Sequence, residues 1–271
     1  MRILVLIKQS FNGKNMRFDG EGFRRIAEKK ELELNYDDGG SLERVLRFRE
    51  EAENPEDIEI AVLSMGNEWS EDVLLQALAV GCDRGILISD PALEGADTKI
   101  TAQVLAGGIR KLGGADLIFA GEKSQDGRTG NVGPMVAEYL RIPHLSAVEE
   151  FSAEGEFVHV VCSKGAVSQK IQVEMPCLLI PAKGKNDLRT MSLPGITRAM
   201  GIGVEKWDLK KVRGSSQSGM LPATEVTAVF HREEVRLGRI VEADFSEDRA
   251  EDGTKIRKLL GEIKAHRQKI L

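Results

Sequence analysis

The most restrictive feature of the chain is a series of short apolar runs, interrupted only by Arg2 and Glu59 near their starts, at residues 1–7, 58–63, 85–88, 117–120 and 177–180. Runs of this length, rich in Ile, Val and Leu and lacking polar alternation, fit strands buried on both faces of a parallel sheet. Stretches with helical spacing separate them. Ser41 is expected to cap a helix carrying Leu42, Val45, Leu46 and Phe48. Ser70 is expected to cap one carrying Val73, Leu74, Ala77 and Leu78 that closes at Gly81, and Asp97 or Thr98 one carrying Ile100, Val104, Leu105 and Ile109. Strand and helix alternating in this way predict a doubly wound parallel α/β sheet with right-handed crossovers. Ligands of such sheets sit past the carboxyl ends of the strands, where the strand order reverses. If the first and fourth of these strands are neighbours, the loops at residues 6–9 and 121–132 face one pocket.

Residues 116–140 read as a strand, a turn and a helix. Gly121, Gly127, Gly130 and Gly133 let the backbone turn tightly and approach a ligand, Thr129 and Asn131 add hydrogen-bonding groups, and Pro134 suits a first helical turn. A helix amino terminus carries unpaired N–H groups and a partial positive charge, so the geometry suits a phosphate or pyrophosphate. Lys8 and Arg128 are placed to meet its charge. A merely tight connection is the equal alternative, because no Walker or dinucleotide fingerprint is present. Nor is there an HExxH, an EF-hand loop or a nucleophile elbow, and His144, His159, His231 and His266 have no ligand spacing. A self-contained hydrolytic or metal site is not expected. Cys82, Cys162 and Cys177 lie far apart in no CxxC pair, which predicts buried thiols in a reducing compartment. With no long apolar run, the chain is expected to be cytoplasmic, without an integral membrane segment.

The second half has a different texture. Residues 157–161 and 170–173 alternate as a hairpin joined by a Ser-Lys-Gly turn. Residues 181–198 are polar but carry Leu188, Met191, Leu193 and Ile196, and read either as a surface loop whose apolar residues tuck back or as a partner-docking loop. The Gly-Ser-rich stretch 214–219 is a flexible linker, followed by a strand at 225–230 and a helix carrying Ile256, Leu259, Leu260 and Ile263. Residues 1–213 are therefore expected to form the α/β domain and 214–271 a linker and carboxyl-terminal arm. That last helix has a basic face, but a net charge of −5 argues against nucleic-acid binding.

Several segments, in order, are similar to one family. The loop Gly121-Glu-Lys-Ser-Gln-Asp-Gly-Arg-Thr-Gly-Asn-Val-Gly-Pro134 resembles the nucleotide-binding signature of the electron transfer flavoprotein β subunit. The opening Met1-Arg-Ile-Leu-Val-Leu-Ile-Lys-Gln9, then Leu63-Ser-Met-Gly66, Ala77-Leu-Ala-Val-Gly-Cys-Asp-Arg84, Gly95-Ala-Asp-Thr98 and Ser192-Leu-Pro-Gly-Ile196 resemble it too. The resemblance spans residues 1–200. It implies a Rossmann-like, adenine nucleotide α hydrolase-like domain with an arm that embraces an α subunit.

It also implies an electron carrier working as a heterodimer. The α subunit of the family holds an electron-transferring FAD, while the β pocket holds AMP in ordinary members and a second FAD in the bifurcating group. Carried over by position, that pocket is lined here by Leu6, Lys8, Asn35, Asp38, Met65 and the loop Ser124, Asp126, Gly127, Arg128, Thr129, Gly130, Asn131 and Val132. The form Asp126-Gly-Arg-Thr-Gly-Asn-Val-Gly-Pro134 is similar to the bifurcating group's and favours FAD over AMP. The function so implied is hydride acceptance from NADH. One electron then passes to the α-subunit flavin and an acyl-CoA dehydrogenase-like partner, the other to a low-potential acceptor such as ferredoxin. Leu193, with Pro194 and Ile196, matches the loop that docks the dehydrogenase. The chain departs from the family pattern at Lys123, Arg128 and Asn131 and in Tyr36-Asp-Asp-Gly-Gly40, where Arg128 adds positive charge beside the phosphates. The alternatives are an ordinary β subunit with structural AMP and a stand-alone adenine-nucleotide-binding module on the same sheet.

Overall fold

In the computed structural model, which describes residues 1–11, 17–18, 25–26, 29–165, 167–183, 187–213, 222–224, 257 and 260–261, the apolar runs become the middle of one sheet. The chain forms β1 (Arg2–Leu6), short strands β2 (Gln9–Phe11), β3 (Arg17–Phe18), β4 (Arg25–Ile26) and β5 (Leu32–Leu34), and helix α1 (Tyr36–Glu50). Then come β6 (Glu59–Met65), α2 (Glu71–Val80), β7 (Arg84–Ile88), α3 (Thr98–Lys111), β8 (Leu117–Ala120) and α4 (Val132–Leu140). The second half contributes β9 (His144–Glu154), β10 (Phe157–Lys164), β11 (Val167–Glu174), β12 (Cys177–Pro181), α5 (Leu193–Ile202), β13 (Glu205–Trp207) and α6 (Leu209–Arg213).

Nine strands pair in the order β11-β10-β9-β12-β8-β1-β6-β7-β13. From β9 to β13 every pairing is parallel, and only β9-β10-β11 run antiparallel. The fold is thus the Rossmann-like α/β class expected, with an antiparallel ribbon on one side. Alternate residues of β1 enter different layers: Ile3 and Val5 pack with α1, α2 and Ala199 of α5, while Leu4 and Leu6 pack with α3, α4 and Val212 of α6. Burial on both faces explains why the central runs lack polar alternation.

Beyond β1, the chain crosses to β6 and β7 on one side and returns to β8 on the other. The order reverses between β1 and β8, so the expected neighbours do meet.

Local signals resolve unevenly. Asp97 caps α3 by accepting from the Ile100 N–H at 2.9 Å, and Gly81 follows α2 with φ 138°. The expected hairpin is β10–β11. α1, however, begins at Tyr36 rather than after Ser41, whose hydroxyl donates to the Asp37 carbonyl one turn inside the helix. Asp37 and Asp38 suit its first turn through the helix dipole. The stretch 181–198 is not all loop: Ser192 accepts from the Gly195 N–H and opens α5, with Pro194 in the first turn.

Packing divides the chain into Met1–Val229 and Phe230–Leu271. The linker at 214–219 and the strand at 225–230 lie outside the described residues, as does most of the helix carrying Ile256 and Ile263, of which Leu260 is described and exposed. Among the described residues, no helix is long and apolar enough to cross a membrane.

Candidate functional site

Three loops converge at the switch point: the one leaving β1, the junction of β5 with α1, and the one between β8 and α4. The first turn of α1 fastens the other two. Asp38 accepts the Lys8 N–H on Oδ2 at 2.9 Å and the Gly121 N–H on Oδ1 at 3.1 Å. Asp37 accepts the Lys123 N–H at 3.2 Å. Asn35 donates from Nδ2 to the Lys123 carbonyl at 3.1 Å and accepts the Gln125 N–H at 3.0 Å, while its own N–H donates to the Lys8 carbonyl at 2.9 Å. This use explains why Asn35 stands at the helix start without capping it. Gly121 is required by the closeness, since a Cβ there would overlap Asp38 Oδ1 and stand 2.9 Å from Asp38 N.

Asp38 is 7% exposed, and burial pushes its carboxyl up to about 7, with the charge of Asp37 adding to the effect. Hydrogen bonds from Asn35, Lys8 and Gly121 act in the opposite direction.

The β8–α4 loop is folded on itself. Lys8 Nζ pairs with both oxygens of Asp126, at 2.7 and 2.8 Å. The Gly127 N–H donates to Asp126 Oδ1 and to Ser124 Oγ, and the Arg128 N–H to the Ser124 carbonyl. Arg128 itself has φ 52° and Gly130 φ 67°, the left-handed region that only glycine enters freely. Arg128 Nε donates to the Gln125 carbonyl at 3.2 Å. No side-chain hydrogen bond caps α4, and Asn131, Val132 and Gly133 at its start line the cleft, which puts the positive end of the helix dipole there.

The cleft these loops enclose measures about 90 Å³. Of the residues expected from sequence, Leu6, Lys8, Asn35, Asp38, Ser124, Thr129, Gly130, Asn131 and Val132 line it. Asp126, Gly127 and Arg128 belong to the same loop outside the lining. Met65, at the end of β6, instead lines a neighbouring open cleft of about 1420 Å³ with Gly66, Ser89 and Trp207. Ile7, Gly121, Glu122 and Lys123 also line it and lie in the two loops expected to face one pocket, as does Gly133, one of the glycines expected to approach a ligand; sequence reasoning missed Thr101 and Leu105, from α3. The last two had a signal in their i, i+4 spacing after the Asp97 cap.

A second feature lies on α5. Its inner face is fixed: Ala199 is buried, Arg198 donates to the Leu78 and Cys82 carbonyls, and a Cβ on Gly195 would overlap the Ala79 carbonyl. Its outer face leaves Leu193 77%, Ile196 37% and Met200 75% exposed.

Chemically, the cleft offers backbone N–H donors, hydroxyls, the amides of Asn35 and Asn131, the ammoniums of Lys8, paired with Asp126, and Lys123, and the carboxyls of Glu122 and of Asp38, whose oxygens are taken up by the N–H groups of Lys8 and Gly121. That equipment suits binding an anion rather than covalent catalysis. Among the described residues no His, Cys, Asp and Glu group is arranged to hold a metal ion.

Comparison with known proteins agrees with the geometry. The model of the electron transfer flavoprotein domain matches residues 25–212. The chain is 36% identical over 232 residues to the caffeyl-CoA reductase-Etf complex subunit CarD of Acetobacterium woodii, covering 85% of this chain and 86% of that protein. It is 37% identical over 199 residues to the electron transfer flavoprotein subunit beta of Thermoanaerobacterium thermosaccharolyticum, covering 73% and 75%. Against the acryloyl-CoA reductase electron transfer subunit gamma of Anaerotignum propionicum, identity is 33% over 201 residues, covering 72% and 73%.

Proposed function

The chain belongs to the electron transfer flavoprotein family as a β-type subunit, and on that premise we propose that its switch-point cleft binds the diphosphate end of an FAD. The observation that carries this reading is the uncapped amino terminus of α4, facing a cleft whose three loops are fastened by Asn35, Asp37 and Asp38. A left-handed Gly130 lets the backbone approach, and Arg128, on the same loop, would balance phosphate charge that Lys8, paired with Asp126, leaves uncompensated. Thr129 and Asn131 supply side-chain hydrogen bonds, with Leu6, Ser124 and Val132 shaping the walls, Gly127 turning the loop behind them and Asp126 setting Lys8. Met65 lies farther along the strand ends, where a longer ligand than AMP would extend.

At about 90 Å³ the cleft is far smaller than the roughly 300–1,000 Å³ of ligand pockets that enclose their ligands. This chain would therefore enclose only the phosphate end, and an α subunit would cover the remainder. Bound there, FAD supplies two-electron and one-electron chemistry, while this chain's residues bind it, orient it and tune its potential by charge and hydrogen bonding. NADH is the proposed donor. The proposed acceptors are an acyl-CoA dehydrogenase-like flavoenzyme, reached through the α-subunit flavin, and a low-potential carrier such as ferredoxin. The caffeyl-CoA and acryloyl-CoA reductase names of two relatives support the first of these. Leu193, Pro194 and Ile196 are the proposed docking residues, consistent with the exposed face of α5.

Extraction of the purified heterodimer tests the reading. Two FAD per heterodimer supports it, and one FAD with AMP overturns the flavin assignment in favour of structural AMP. A homodimer that binds ATP and purifies without a flavin-bearing partner would identify a stand-alone module instead.

A further inference from the structure

An exposed apolar helix docks well only if it is held in its bound orientation beforehand, because ordering it during association weakens binding. The chain entering α5 is held in that way. Residues 187–189 lie along α1: Tyr36 Oη donates to Asp187 Oδ1 at 3.0 Å, and Leu188 packs beside Gly39, where an added Cβ would lie 3.6 Å from Leu188 Cβ. Arg189 makes the strongest attachment. Its backbone N–H and Nε donate to Glu43 Oε2 at 3.1 and 2.9 Å, and Nη2 to Glu43 Oε1 at 3.0 Å. Nη2 also donates to Glu50 Oε2 at 3.1 Å, and Nη1 pairs with Glu50 Oε1.

Glu43 is 3% exposed and takes a further bond from Arg47 Nε at 2.9 Å. Burial opposes its ionisation, but the hydrogen bonds from Arg189 and Arg47 outweigh burial and hold the carboxyl below its ordinary range. The same bonds raise the Arg189 guanidinium above its usual value, so each partner favours the charged form of the other. Only Thr190, Met191 and Ser192 separate this attachment from Leu193.

We infer that Arg189 is a positioning residue for partner docking: its fork on Glu43 and Glu50 fixes the path into α5 and so presents Leu193, Ile196 and Met200 in one orientation. The inference rests on the docking reading of α5. Arg189 lines neither of the clefts described above, and it acts through the chain it holds.

The test is steady-state electron transfer from the complete heterodimer to an acyl-CoA dehydrogenase of the caffeyl-CoA reductase type, with the dehydrogenase as the varied substrate. Arg189→Ala is expected to raise its KM about tenfold, the equivalent of about 1.4 kcal/mol, with kcat within about twofold and cofactor content unchanged. Arg189→Lys should recover part of the loss, since an ammonium keeps the charge but not the fork. Glu50→Gln, which removes only the exposed arm, gives a smaller rise and carries the test if Arg189→Ala does not assemble. An unchanged KM in the Arg189 and Glu50 variants, with a raised KM in Leu193→Ala, overturns the inference and leaves docking at α5 intact. An unchanged KM in Leu193→Ala removes the docking reading and the inference together. Loss of cofactor or of kcat in Arg189→Ala would assign Arg189 to the general fold and also overturn it.

Discussion

Replacing Asp38 by Asn should remove a loss of stability that the protein suffers as pH rises to neutrality, although it alters the side chain that fastens two loops of the cleft. The folded carboxyl is raised from 3.8 to about 7, chiefly by burial. Between those values the folded state holds a proton that the unfolded state has released, so stability is full below the lower value and falls as pH rises through the upper one. The slope is about 1.4 kcal/mol per pH unit, giving a loss of about 3 kcal/mol between pH 5 and pH 7 as an upper bound. The Asn variant binds no proton and lacks this slope. It has a single acceptor oxygen, whereas the Lys8 and Gly121 N–H groups bond to different oxygens of Asp38, so one of them faces the amide nitrogen at a pH-independent cost of about 1–3 kcal/mol. The variant should therefore be the less stable near pH 4 and gain on the native protein as pH rises towards 7. Urea unfolding followed by circular dichroism at pH 5, 6, 7 and 8 reads the difference directly. Parallel profiles, or a variant that loses ground as pH rises, would mean that the two N–H donors outweigh burial and that the cleft is built around an ionised carboxylate.

Gly121→Ala drives a Cβ against Asp38, whose backbone nitrogen cannot yield as a flexible side chain would, and is expected to cost about 1–3 kcal/mol, read as a fall in Tm of roughly 2–4 °C per kcal/mol. Asp97→Ala removes the cap of α3 and the acceptor for the Ala223 and Thr224 N–H groups; hydrogen exchange at Ile100, Ala223 and Thr224 should quicken together while the β1 amides keep their protection.

The sheet was legible because its central strands are buried on both faces, which leaves a signature that polar alternation cannot mimic. Leu117 to Ala120 is such a strand, fully buried. β9 left no such mark: apart from the buried Val148 its residues are half-buried or exposed, and it pairs parallel with β12 but antiparallel with β10. α5 was hidden because Pro194-Gly195 reads as a turn, whereas Pro suits a first helical turn and Gly195 is demanded by the Ala79 carbonyl of a helix far away in sequence. The cleft was legible in its glycines and in Lys8 and Asn35, but its fastening was not. Asp37-Asp38-Gly39-Gly40 reads locally as a turn before a Ser41 cap. Only when the chain brings Lys8 and Gly121 to the same place do Asp38's oxygens acquire their donors.

The most direct test of the cleft as the second flavin site is the FAD count of the heterodimer with and without a blocked loop. Gly130 has φ 67°, a conformation that a β-branched residue adopts only under strain, beside the free end of α4. Wild type should release two FAD per heterodimer and Gly130→Val one, with the α-subunit flavin retained. One FAD in the wild type, or two in the variant, would contradict the assignment of this cleft.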